Sequence, residues 1–125
     1  MKDEKSMAPV DLETRTTEFA LRIIKLYSAL PQRTEAQVLG KQLLRCGTSV
    51  GAHYREAKRA KSNLDFISKV EGALQELDET SYWLELIERS KIISARRLAP
   101  LRNEAVELTK ILVTIAKRVK QKTKD

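Results

Sequence analysis

Residues 34–61, TEAQVLGKQLLRCGTSVGAHYREAKRAK, decide how the whole chain is read. Leu39, Leu43, Cys46, Val50, His53 and Ala57 recur at spacings of four and three, which lines one face of an α-helix. Gly40, Gly47 and Gly51 interrupt the pattern, and each costs about 1 kcal/mol against alanine in a helix interior. GTSVG (47–51) therefore admits a loop reading. The apolar stripe runs on unbroken at either side of it, so a helix over 34–60 is predicted. The three glycines then share a face, where they would let another backbone approach closely. Thr34 reads as its N-cap, with Gln37 a weak capping-box partner.

Working outward, Leu30-Pro31 stops a preceding helix over 12–29, whose stripe is Leu12, Phe19, Ile23, Leu26 and Leu30. Ser62-Asn63 begins a third helix over 63–90, with Leu64, Ile67, Val70, Leu74, Leu77, Leu84 and Ile87 inward. Ser94 caps a fourth over 95–121, in which Leu98, Leu101, Ala105, Leu108, Leu112, Ile115 and Val119 alternate three and four apart. Pro100 falls about a turn inside and predicts a kink or a late start. Residues 1–11 read as a flexible arm and 123–125 as a frayed tail around a bundle over 12–122. Connections this short make antiparallel neighbours, so the expected fold is all-α, an up-down-up-down four-helix bundle.

Composition narrows the functional classes. The 125 residues are 42% hydrophobic and only 5% aromatic, with 4 glycines and 3 prolines, which suits one helical domain and disfavours a many-stranded sandwich or barrel. A single cysteine and a single histidine make neither an internal disulfide nor a zinc site. No apolar run approaches a membrane span, and the start MKDEKSMAPVDLE lacks the apolar core of a signal peptide. A cytoplasmic protein with no membrane role is expected. Cys46 and His53 lie seven apart on one helix, about 10 Å along its axis, too far for a thiolate–imidazole pair. Glu76, Asp78 and Glu79 carry no Glu-x-x-His partner of the kind that di-iron bundles need. No catalytic residue, metal site or cofactor is expected.

The formal charge of +7 is unevenly divided. Residues 34–61 hold six bases and two acids, residues 62–91 three bases and seven acids, and residues 92–125 nine bases and three acids. An acidic third helix thus lies between two basic ones. Three uses of that alternation remain open: ion pairs within the chain, contacts between subunits, or a phosphate-binding surface. Arg45, Arg55, Lys58, Arg59 and Lys61 are the candidate nucleic-acid contacts on the second helix. Arg96, Arg97, Arg102, Lys117, Arg118 and Lys120 are those on the fourth. No aromatic residues are interleaved with the basic segment, so contact would be to backbone phosphate rather than to stacked bases. Gly47, Gly51, Tyr54, Tyr82 and Trp83 are candidates for an oligomer interface, the glycines for close packing and the aromatics as anchors.

An ordered succession of motifs carries a resemblance. Leu30-Pro31 is followed by Leu39-Gly40-Lys41-Gln42-Leu43-Leu44-Arg45, Gly47-Thr48-Ser49-Val50-Gly51-Ala52 and Tyr54-Arg55-Glu56-Ala57. Then come Asp65-Phe66-Ile67-Ser68-Lys69, Ala73-Leu74-Gln75-Glu76, Glu79-Thr80 and Tyr82-Trp83-Leu84-Glu85. Together these resemble the bacterial proteins encoded in intervening sequences of 23S rRNA genes, also labelled the S23 family, over about residues 19–119. His53 stands where the pattern has asparagine. The chain is also similar to the accessory variability proteins of diversity-generating retroelements. The resemblance implies a bundle assembled as a homopentamer, with no enzymatic activity and RNA or DNA as partner. A reverse-transcriptase partner would follow only from gene context. The expected function is a non-enzymatic, oligomeric nucleic-acid-binding bundle; the alternative is a protein-interaction adaptor or scaffold without a nucleic-acid role.

Overall fold

The computed structural model describes residues 11–124, which form four helices: α1 (Leu12–Ser28), α2 (Thr34–Lys58), α3 (Asn63–Arg89) and α4 (Ala95–Lys124). The expected arm at 1–11 lies outside the described residues but for Asp11.

Local chemistry sets most of the ends. Asp11 caps α1 by accepting from the Thr14 amide at 3.1 Å, and the two hydrogen bonds from Thr14 hold its carboxyl below the usual carboxylate range. Ser62 accepts from the Asp65 amide at 3.0 Å, and Ser94 from the Arg97 amide at 3.3 Å. α2 differs from expectation. Thr34 is its first helical residue, Arg33 occupies the cap position, and no side chain caps that end. α3 stops where Lys91 takes a left-handed backbone, φ 60°, and the Ile92 amide reaches back to the Ile87 carbonyl at 3.1 Å. α4 begins before Pro100 and runs through it, so the late start does not occur. Its helix also continues to Lys124, where fraying was expected from 123.

α2 packs along α1 and α3, α4 packs along α3, and α1 meets α4 in a shorter contact that closes the bundle. Cross-helix pairs give the direction. Lys58 bonds Glu13 while Tyr27 bonds Gln37; Lys69 meets Glu56 while Arg45 meets Glu79; Lys120 meets Glu71 while Arg102 meets Glu88. In each seam one number rises as the other falls, so successive helices run antiparallel.

Phe19, Ile23, Leu43, Val50, Leu77, Leu84, Leu108 and Leu112 are fully enclosed between the four helices. Each such side chain contributes about 1.5–3 kcal/mol relative to exposure. Thr16 and Thr80 share that interior by returning their hydroxyls to the carbonyls of Leu12 and Glu76 four residues back. The glycines of α2 let α1 approach. A β-carbon on Gly47 would lie 2.8 Å from Ile23, and one on Gly51 would lie 3.0 Å from Thr16. Leu64, expected inward, is 68% exposed on the first turn of α3. The apolar stripe begins there with Ile67 and Val70 instead.

Candidate nucleic-acid interface

The antiparallel order puts the C-termini of α2 and α4 and the N-termini of α1 and α3 at one end of the bundle, and the opposite termini at the other. Most acids of α3 are matched inside the chain. Glu79 accepts from Arg45 at 2.9 Å, with Glu76 3.8 Å from the same guanidinium. Glu71 meets Lys120 at 2.9 Å, Glu85 meets Arg89 at 3.1 Å, and Glu88 meets Arg102 at 2.6 Å. Asp65 accepts from the Lys61 amide, which leaves Asp78 as the one acid of that stretch without a partner among the described residues. Of the three uses open to the alternating charge, pairing within the chain thus absorbs nearly all of α3. Each exposed pair is worth little, about 0–1 kcal/mol, yet together they favour the α2–α3 and α3–α4 neighbours.

This pairing sorts the eleven basic candidates. Arg45, Lys58, Arg102 and Lys120 are engaged by carboxylates of neighbouring helices, and Arg55 donates to the Thr17 hydroxyl at 3.3 Å. Arg59, Lys61, Arg96, Arg97, Lys117 and Arg118 are exposed, and their charges meet no carboxylate among the described residues. They fall into two groups. Arg59 and Lys61 follow the end of α2, and Val119 of α4 borders the same shallow depression as Lys61, Ser62 and Phe66, which brings Lys117 and Arg118 to that end. Arg96 and Arg97 occupy the first turn of α4 at the other end, beside Lys91 in the preceding connection, and that turn contains no acid. The sequence marked the bases but could not separate matched from unmatched ones, because the matching depends on register between helices.

The interface candidates divide as well. Gly47 and Gly51 are buried against Ile23 and Thr16 of α1, inside the chain's own packing. Tyr54 is half-buried, and burial pushes its phenol up. Tyr82 is 54% exposed, with its ring 5.2 Å from that of the half-buried Trp83, whose buried indole Nε1 has no hydrogen-bond partner. Val38 on α2 is 56% exposed. It lies off the α2 stripe and was not among the candidates drawn from the sequence.

Cys46 is enclosed with its Sγ 3.2 Å from the Thr80 hydroxyl oxygen, and burial drives its thiol up, away from the reactive thiolate. His53 lies over Gly72 with Nε2 3.4 Å from Glu76 and Nδ1 4.0 Å from Glu56, a bridge between α2 and α3. Among the described residues no three His, Cys, Asp or Glu side chains gather as metal ligands, and no helix is long and apolar enough to cross a membrane.

No curated protein matches the sequence. The chain is similar to a crystallised protein of unknown function from the S23 ribosomal protein family of Bacteroides thetaiotaomicron, with 43% identity and a TM-score of 0.80. The match covers 84% of this chain and 97% of the other. The family model described as 23S rRNA-intervening sequence protein matches residues 10–114. With that succession of motifs, that bundle and that span of agreement, the chain belongs to the 23S rRNA-intervening sequence protein family.

Proposed function

We propose that this chain is a non-catalytic, self-associating cytoplasmic bundle that binds nucleic acid through its phosphate backbone. One observation carries the reading: Arg59, Lys61, Lys117 and Arg118 lie toward one end of the bundle, exposed and unmatched among the described residues, while five of the seven acids of residues 62–91 are paired with a base. Matched bases hold helices together, and unmatched ones remain available to phosphates, where each contact releases condensed counterions. The exposed aromatic Tyr82 lies on α3 away from these bases, which favours backbone contact over base stacking. Titration of a labelled structured RNA, read by fluorescence anisotropy, tests the claim. Binding in the micromolar range at about 50 mM salt that weakens steeply toward 200 mM is expected. Absence of binding at about 50 mM removes the claim.

Self-association, with five subunits by family resemblance, is supported by the exposed apolar side chains Val38 and Tyr82, the latter beside Trp83. A solution mass near the 14.3 kDa of one chain would defeat it. The same side chains favour the second reading, an adaptor that docks a partner protein. Capture of one defined protein that survives nuclease treatment, together with failure of the RNA titration, would replace the first reading by the second.

A further inference from the structure

Among the described residues, the unmatched bases of α4 lie toward both of its ends. On α4, Arg96 and Arg97 open the helix and Lys117 and Arg118 stand twenty residues later, about 30 Å along the axis. Between them the bases are answered: Arg102 by Glu88 at 2.6 Å and Lys110 by Glu107 at 3.5 Å. The middle acid Glu104 binds Arg15 through both oxygens, at 2.7 and 3.0 Å. Lys91 extends the first group and Arg59 with Lys61 the second. Along α4 the result is a charge-matched middle between two cationic poles, while Arg22 on α1 and Lys41 on α2 are also exposed without a carboxylate partner among the described residues.

Arg96 and Arg97 also sit where helix physics disfavours them. The first turn of a helix is the positive end of its dipole, and α4 places two guanidiniums and no carboxylate there. Folding gains nothing from this arrangement, whereas an anion gains from both the side chains and the dipole. The pole is therefore built at the expense of the helix it stands on.

We infer that each chain has two separate phosphate-binding poles and bridges two nucleic-acid segments, one at each end of the bundle. The inference rests on the proposed function and adds its geometry. A nucleic acid held at one pole raises the effective concentration of its neighbouring segments around the other pole, which favours the second contact. Self-association would multiply poles but would not replace either kind.

The test uses short duplexes, one batch carrying a donor dye and one an acceptor, in an RNA set and a DNA set of the same sequence. Energy transfer reports two duplexes on one particle, and anisotropy reports binding of one. The full chain is compared with Arg59→Gln/Lys61→Gln/Lys117→Gln/Arg118→Gln and with Lys91→Gln/Arg96→Gln/Arg97→Gln. Neither set touches an ion pair of the described residues, and unchanged melting confirms that each variant folds. The expected result is energy transfer with the full chain and a titration endpoint of two duplexes per chain, which falls to one per chain in each variant, with binding weakened by about twofold for the lost pole. An endpoint unchanged in either variant overturns the two-pole arrangement, as does one variant losing all binding while the other is unaffected. In both cases the proposed function stands. No binding of either duplex by the full chain overturns the inference and the proposed function together. Comparison of the RNA and DNA sets shows which backbone the poles accept.

Discussion

At the scale of single residues, the decisive positions are those where the fold and the local preference disagree. Gly47 costs α2 about 1 kcal/mol in propensity, yet Ile23 is fully enclosed against it and has nowhere to move. Gly47→Ala should therefore lower stability by about 1–2 kcal/mol net, the overpacking exceeding the propensity gain, as read from thermal or urea unfolding. Arg96 gives the opposite sign. Arg96→Glu replaces an unfavourable charge on the first turn of α4 by a favourable one and should stabilise by about 0.3–1 kcal/mol while weakening RNA binding. A stabilising change that impairs binding marks a residue kept for its ligand. GTSVG (47–51) was readable as helix because the apolar stripe passes through it. That its glycines face α1 was not readable, since a sequence shows which face is small and not what lies against it.

At the scale of elements, α1 and α4 depend on one another through a narrow contact. The Arg15 guanidinium holds the Glu104 carboxyl below the usual range, chiefly by direct hydrogen bonding, and Glu104 in turn holds Arg15 up. Glu104 has a lower pKa folded than unfolded, so its contribution is complete above the ordinary carboxylate range and is lost as pH falls through its folded value. Glu104→Gln should cost about 1 kcal/mol at neutral pH, discounted for partial exposure, and should flatten the decline in melting temperature below about pH 4.5. Pro100, inside α4, denies the Arg96 carbonyl its helical partner, so Pro100→Ala should stabilise by about 1–3 kcal/mol in urea unfolding. The helices themselves were legible, because Pro31, Ser62 and Ser94 punctuate unbroken stripes. Leu64 misled, since an apolar residue on a first turn fits the period whether or not anything covers it. The position of Thr34 within the helix depends on one residue of capping geometry, which periodicity does not resolve.

At the scale of the molecule, charge is the organising quantity. The third helix is acidic for internal reasons: its carboxylates answer Arg45, Lys120 and Arg102 and thereby help order the four helices. The bases left over on α4 lie toward its two ends, and Arg22, Lys25 and Lys41 are left over on α1 and α2 among the described residues. The +7 total was legible as a permission for an anionic partner, and the alternation by helix as organised surface. Which bases were spare was not legible, because a base becomes spare only when register leaves it without an acid. The central claim is that these spare bases, and not the matched ones, meet phosphate. The salt dependence of RNA affinity tests it most directly, comparing the full chain with Arg59→Gln/Lys61→Gln/Lys91→Gln/Arg96→Gln/Arg97→Gln/Lys117→Gln/Arg118→Gln. A duplex on either pole meets three or four of these side chains, so the slope of log affinity against log salt becomes shallower by about 3–4. An unchanged slope would contradict the account.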